Sequence, residues 1–222
     1  MTMPLFPRTR REVVPGAVHV PDWLPIDQQR RLVDACRRWA KPPAPMRASS
    51  LPNGGTMSVK TVCLGWHWVP YRYTRLAEDT DGSPVTPFPD WLGDLGRRAI
   101  ADAYDDPSMA VHYEPDAALV NFYDDAANLG LHQDKDEATL DPVVSLSIGN
   151  TCTFRLGTPH SRGRPYTDID LHGGDLLVLG GPSRLAYHGV PRTHPNTGDA
   201  ATGLAHGRIN ITMRVTGRTD AP

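Results

Sequence analysis

The chain has 222 residues, 25 acidic against 23 basic side chains and a formal net charge of -2, so it can bury a sizeable core and carries no global basic field for nonspecific nucleic-acid binding. Its three cysteines, Cys36, Cys63 and Cys152, are scattered and form no CxxC pattern, which excludes a disulfide framework or structural zinc site and makes a reducing, cytoplasmic setting the default. No cationic leader with a long apolar run and no uncharged stretch of bilayer length is found, so a soluble protein that meets no membrane is expected.

Residues 27–40 place Leu32, Val33, Cys36, Trp39 and Ala40 at three- and four-residue spacing with arginines opposite, the pattern of an amphipathic helix. The stretches 41–58 and 74–90 carry turn residues without an apolar period and read as irregular. Between them, Leu64 to Tyr73 is rich in aromatic rings: Trp66, Trp68, Tyr71 and Tyr73. Such a segment suits a substrate lid, or it simply covers one end of the core. A second helix is predicted from Asp90 as N-cap, with Trp91, Leu92, Leu95, Ala99, Ile100 and Ala103 on one stripe. Up to about residue 110 the pattern is therefore helical or irregular.

From residue 117 onward, short β-branched runs between Gly, Pro and Asp turns predict strands near 118–123, 143–148, 151–156, 167–171, 175–179, 184–188 and 208–215. Many short strands point to a β-sandwich or jelly roll, and the helices make the whole α+β. The expected organisation is one domain over 1–222, with 15–110 supplying helices and lid and 111–218 the jelly-roll core.

The chemistry-bearing residues start with His132-Gln133-Asp134. In extended backbone the imidazole and carboxylate point to one face, where they can offer two metal ligands; in a polar run the same residues are a solvated turn. Tyr187-His188-Gly189 follows at the end of an apolar run, and a jelly roll can bring such distant strand ends together. Two imidazoles and one carboxylate leave three octahedral positions open, which suits non-haem Fe(II) with a bidentate cosubstrate and O2.

The last strand, Arg208 to Val215, alternates polar and apolar with a period of two, so Arg208, Asn210, Thr212 and Arg214 share a face. Facing solvent, they make an ordinary half-buried strand. Facing inward, the guanidiniums need anions, and a dicarboxylate such as 2-oxoglutarate answers that need. Asn121 and Tyr123 share a face of an earlier strand and either complete hydrogen bonds to the same cosubstrate or pack as satisfied core groups.

Together, Asn121-x-Tyr123, Leu131-His132-Gln133-Asp134-Lys135-Asp136-Glu137, Val144-Ser145-Leu146-Ser147, Ser183-Arg184-Leu185-x-Tyr187-His188-Gly189 and Arg208-x-Asn210-x-Thr212-x-Arg214 resemble the AlkB family of nucleic-acid dealkylating dioxygenases. The match in order and approximate spacing runs through residues 117 to 217. The resemblance implies a double-stranded β-helix (jelly roll) with N-terminal helices and a nucleotide-recognition lid. It implies that His132, Asp134 and His188 hold Fe(II), and that Arg208 binds the distal carboxylate of 2-oxoglutarate with Tyr123 and Asn210. Asn121 and Arg214 are then near the cosubstrate's other end, and Asp136 takes the position that contacts the damaged base.

A thinner match, Leu64-Gly65-Trp66 followed by Tyr71-x-Tyr73, resembles the family's lid, with Trp66 and His188 sandwiching the base. The stretch between Trp66 and Tyr71 is shorter than the family's. The implied reaction consumes O2 and 2-oxoglutarate, removes N-alkyl groups from bases such as N1-methyladenine or N3-methylcytosine, and yields succinate, CO2 and formaldehyde. Its expected partner is alkylated, single-stranded DNA or RNA, because a lesion that blocks pairing is cheapest to extrude; no obligate protein partner is evident. Two rivals keep other parts of the pattern: an oxygenase core acting on a protein side chain or small metabolite, and a jelly-roll binding module without catalysis.

Overall fold

The computed structural model describes residues 7–51 and 54–219. The chain opens with a hairpin, β1 (Arg11–Val14) and β2 (Ala17–Val20), followed by helix α1 (Ile26–Trp39). Strands β3 (Arg47–Ser50) and β4 (Thr56–Leu64) come next, then a small hairpin of β5 (His67–Val69) and β6 (Arg72–Thr74), and helix α2 (Asp90–Tyr104). The second half contains β7 (Ala117–Tyr123), β8 (Leu129–His132), β9 (Val143–Gly149), β10 (Thr151–Leu156) and β11 (Thr167–Leu171). It ends with β12 (Leu176–Leu179), β13 (His188–His194) and β14 (Arg208–Arg214). No helix among the described residues is long and apolar enough to cross a membrane.

Helices and antiparallel sheets make the fold α+β. An eight-stranded sheet runs β1-β2-β12-β9-β14-β7-β4-β3, and a four-stranded sheet runs β11-β10-β13-β8. On one face of the large sheet, Val120, Val144, Leu146, Ile148, Ile209, Ile211 and Met213 pack against Leu32, Val33 and Cys36 of α1 and Leu92, Ala99 and Ile100 of α2. Each such aliphatic side chain contributes roughly 1.5–3 kcal/mol by leaving water. On the other face, Ala17, Tyr123, Leu177 and Leu179 meet Cys152, Phe154, Leu156 and Val190 of the small sheet. The large sheet is thus the middle of three layers, and one edge of the seam between the sheets is polar.

Three expectations need correction. The first half is not merely helical or irregular, since β1 to β4 all join the large sheet. β3 and the start of β4 are polar strands at its border, where backbone pairing suffices and no apolar period is required. Pro15-Gly16 between two β-branched runs was the available sign of the β1–β2 turn; Gly16 has φ +81°, and a Cβ there would meet Gly180 O at 2.2 Å.

Asp90 is the first helical residue of α2 rather than its N-cap, a place held by Pro89 with no side-chain cap bond. Its charge therefore acts on the positive helix end from the first turn. Residues 184–187 form no strand; β13 starts at His188. Arg184 is the cause: its buried guanidinium donates to Asp141 O and Asp134 O, both at 2.6 Å, and so holds the segment out of the ladder.

Candidate metal centre

The register of β8 on β13 sets His132 directly opposite His188. Asp134 lies just past the end of β8, so the two ligand types come from a strand end and the loop that leaves it. One donor atom from each of His132, Asp134 and His188 lies within 4.8 Å of the others. His132 Nε2 is 3.7 Å from Asp134 Oδ1, and His188 Nε2 is 3.6 Å from Asp134 Oδ2.

Both imidazoles are oriented from behind. His132 Nδ1 meets Gly130 O and His188 Nδ1 meets Ala186 O, each at 2.9 Å. A carbonyl only accepts, so each Nδ1 carries the proton and each Nε2 presents a lone pair toward the centre. Burial, with the His132 charge next, pushes His188 down to about 4, which keeps it neutral and able to ligate. Burial opposes the Asp134 charge, but the Arg214 guanidinium, foremost among its neighbours, outweighs it and holds the carboxyl below its usual range.

The triad opens on a narrow cleft between the two sheets. Asn121, Tyr123, Arg208, Asn210, Thr212 and Arg214 line it from the large sheet, and Leu129, Phe154 and Val190 from the small one. The polar face of β14 therefore points inward. The odd positions serve the helix layer, so the period of two seen in the sequence is a boundary between a dry layer and a cleft.

The two arginines of that face differ. Arg214 Nη2 pairs with Asp134 Oδ2 at 2.9 Å and Nη1 with Glu137 Oε1 at 3.0 Å. Arg208 is 1% exposed; it donates to Ser147 Oγ at 2.9 Å, while its Nε and Nη1 find no acceptor among the described residues. Asn210 Nδ2 donates to Ser145 Oγ at 2.8 Å and Leu146 O at 3.1 Å, and Asn121 Oδ1 accepts from Thr61 Oγ1 at 2.7 Å. Burial pushes Tyr123 up to about 12, so it stays a neutral phenol.

The donor set fits iron and 2-oxoglutarate. Two imidazole nitrogens and one carboxylate oxygen suit Fe(II) with open positions, and a buried guanidinium with two orphaned donors is a seat for a carboxylate. Residues 16–214 match the family described as the 2OG-Fe(II) oxygenase superfamily. A protein of Caulobacter vibrioides named alpha-ketoglutarate-dependent dioxygenase AlkB homolog is 39% identical over 91% of this chain and 88% of its own.

The chain belongs to the AlkB family of Fe(II)- and 2-oxoglutarate-dependent dioxygenases. It is an enzyme of that class, and His132, Asp134 and His188 form the two-histidine, one-carboxylate triad typical of AlkB proteins. A second relative, named DNA N(6)-methyladenine demethylase ALKBH1D, from Arabidopsis thaliana, is 32% identical over 90% of this chain and 49% of its own. The solved structure described as "The structure of OsALKBH1" superposes with a TM-score of 0.81 at 31% identity, covering 92% of this chain and all of that one.

The lid residues are less simply placed for an AlkB enzyme. Trp66 is buried, its Nε1 donates to Asp116 Oδ2 at 2.9 Å, and the Arg75 guanidinium sits 3.5 Å from its ring centroid. Tyr71 is 70% exposed in the β5–β6 turn, at φ +74°. Tyr73 is buried and its hydroxyl donates to Glu137. Asp136 accepts from Trp68 Nε1 at 2.8 Å. None of these four is among the residues lining the cleft.

Several contributors escaped the sequence reading. Glu137 joins Tyr73 of β6 to Arg214 and Arg184, the last at 3.0 Å. Burial opposes its charge, and Arg214 outweighs that effect, so it stays ionised. Trp68 ties the β5–β6 hairpin to Asp136, and the Phe154 ring stacks on His188 with centroids 5.6 Å apart. For Glu137 the signal was available, as a third acidic residue directly after His132-x-Asp134-x-Asp136.

Proposed function

We propose that this enzyme removes alkyl groups from base nitrogens of DNA or RNA, such as those of N1-methyladenine and N3-methylcytosine, in direct reversal of damage. The observation that carries the cosubstrate half of this reading is Arg208, a buried guanidinium with two unsatisfied donors in the cleft that holds the triad. Membership in the AlkB family and the name of the Arabidopsis relative support a nucleic-acid substrate. We read the two-sheet core as the double-stranded β-helix of that family, within one domain whose 15–110 part supplies the lid.

His132, Asp134 and His188 hold the iron, and Arg208 takes the distal carboxylate of 2-oxoglutarate. When bound, iron, 2-oxoglutarate and O2 supply the oxidation of the N-alkyl carbon, with succinate, CO2 and formaldehyde as products. The residues of the chain do the rest. Tyr123 and Asn210 flank the Arg208 seat as neutral hydrogen-bonding groups, and Asn121, beside Asn210 on the neighbouring strand, extends the same polar wall. Arg214 keeps Asp134 ionised and aimed, and its unpaired Nε faces the cosubstrate's near end.

Substrate enters beneath the lid as a single strand. The base leaves its stack, at least cost where the lesion already blocks pairing, and rests near His188. Trp66 supplies the opposing ring once Arg75 moves off it, Tyr71 and Tyr73 line the strand path, and Asp136 reads the base edge.

The test is turnover. Purified protein with Fe(II), ascorbate and 2-oxoglutarate is expected to release formaldehyde from an N-methylated single-stranded oligonucleotide, and Asp134→Ala to abolish both that release and metal binding. No turnover on any N-methylated nucleic acid would reject the reading. Turnover of 2-oxoglutarate that ignores oligonucleotides and survives Trp66→Ala would point instead to a protein or small-molecule substrate.

A further inference from the structure

His132 and Asp134 turn their side chains to one point, and Gln133 between them turns the other way, as alternation along an extended backbone requires. Gln133 is half-buried and is not among the residues lining the cleft. Its Nε2 donates to Leu185 O at 2.7 Å and to Pro159 O at 3.0 Å. Carbonyl oxygens only accept, so both N–H bonds of the amide are engaged there and the amide oxygen could not replace them.

Those two carbonyls belong to the segments that deliver the third ligand. Leu185 O lies one peptide before Ala186 O, the acceptor that orients His188. A second tie runs the opposite way, since Arg184 Nη1 donates to Asp134 O at 2.6 Å. The segments 132–134 and 184–188 are thus laced across each other, each by a side chain of its own. Residues 184–187 lie outside any strand, so these side chains, rather than a regular ladder, fix them. The pairing of β10 with β13 ends at Leu156 and His188; beyond it, Gly157 N donates to Tyr187 O at 2.7 Å and Tyr187 N to Thr158 O at 3.1 Å, next to the carbonyl that Gln133 holds at Pro159.

We propose that Gln133 is a positioning residue for the metal centre: through Leu185 it holds His188 opposite His132 and Asp134, so that the triad stands assembled before a metal binds. The proposal rests on those three residues being the metal site. Without the amide, the 185–187 segment loses its tie to the strand end that carries the other two ligands. His188 then has to be ordered at the moment of binding, and the entropy of that ordering weakens the metal's hold.

The same amide joins the site to the loop between β10 and β11. That loop, residues 157–166, carries His160, Arg162 and Arg164 and no acidic residue, and at Pro159 it is held by the residue that separates two ligands. An ion at the triad therefore restrains the base of this loop through Gln133.

The test reads metal affinity rather than turnover, with Mn(II) titrated by calorimetry into the full chain stripped of metal by a chelator. Gln133→Met keeps the length of the side chain and removes both donors, and it is expected to weaken Mn(II) binding about 10- to 100-fold. A side chain that served packing alone would lower stability and leave the affinity unchanged, and that result would overturn the proposal. Hydrogen exchange supplies a measurement that needs no variant. In the metal-free wild type the Gly157 and Tyr187 amides are expected to be protected; exchange there as fast as in an unfolded peptide would show that the triad is not assembled in advance. A wild type that binds no Mn(II) at all would sink the metal site itself, and the role of Gln133 with it.

Discussion

Two fully buried charges belong to neighbouring parts of the large sheet and are treated in opposite ways. Asp175, with its side chain 0% exposed, is saturated. Arg8 Nη1 and Nη2 donate to its two oxygens at 2.8 and 3.0 Å, His19 Nε2 lies at 2.9 Å, and the backbone N–H groups of Asp22 and His172 each donate at 3.0 Å. Arg208 has one hydroxyl and two orphaned donors. The first charge pins the amino-terminal hairpin to the sheet, and its partners are all built in. The second costs stability as it stands, because a buried charge without a counter-ion is paid for only when an anion arrives. Saturation suits a structural charge, whereas two orphaned donors are what the proposed cosubstrate role of Arg208 requires.

The comparison can be broken most sharply at Asp175. Asp175→Ala leaves His19 and Arg8 without their anion and is expected to cost about 3 kcal/mol in urea unfolding, with 2-oxoglutarate affinity unchanged. A loss under ~0.5 kcal/mol would mean that the saturated cluster is not what holds the hairpin.

Arg208→Met should do the reverse. Loss of a charge-assisted carboxylate bond of about 3 kcal/mol weakens 2-oxoglutarate binding roughly 100-fold by calorimetry. The apo protein, meanwhile, should gain on the order of 1 kcal/mol and a higher Tm, since an apolar chain replaces an unpaired charge. A destabilised Arg208→Met protein with intact 2-oxoglutarate binding would invert the assignment.

Acid separates the two charges further. Burial works against the Asp175 carboxylate, but the bonds from His19, Arg8 and the backbone outweigh it and hold its pKa below the ordinary 3.8. The native state thus binds the proton less readily than the unfolded state, and the contribution is complete above about pH 4 and lost as pH falls through the folded value. The stability gap between wild type and Asp175→Asn should shrink as pH is lowered from 6 to below 3. The same pair of curves for Arg208→Met is the control.

The smallest effect is expected at the joint between lid and cleft. Tyr73→Phe removes the hydroxyl bonded to Glu137, whose Arg184 and Arg214 partners remain, and should cost about 1 kcal/mol. Metal affinity should persist while KM for an oligonucleotide substrate rises severalfold. An unchanged KM would show that this bond serves packing alone.

How much of this was legible depends on how local each determinant is. The stripe of α1, most strands after residue 117 and the alternation of β14 are written in spacings of two to four residues, and they were read correctly. The loop held by Arg184 was missed because its reason lies in partners far along the chain, the polar strand β3 because a border strand paired to β4 needs no apolar period, and Pro15-Gly16 was a local sign left unread. For the site, the sequence named His132, Asp134 and His188, which the structure brings together, and put Arg208 and Arg214 on one face, but it left open whether β14 turned that polar face to water. It told the two arginines apart only through the family resemblance, since the strand pattern places both on one face.

The sequence by itself therefore determined which residue types were available, in what order, and on which side of each strand. The tertiary structure decided what those sides meet. It set His132 against His188 through the β8–β13 register and closed the β14 face into a cleft. It gave Arg214 its carboxylates and withheld one from Arg208. The physical reason is that periodicity is a property of neighbours along the backbone, whereas the satisfaction of a buried charge is a property of neighbours in space.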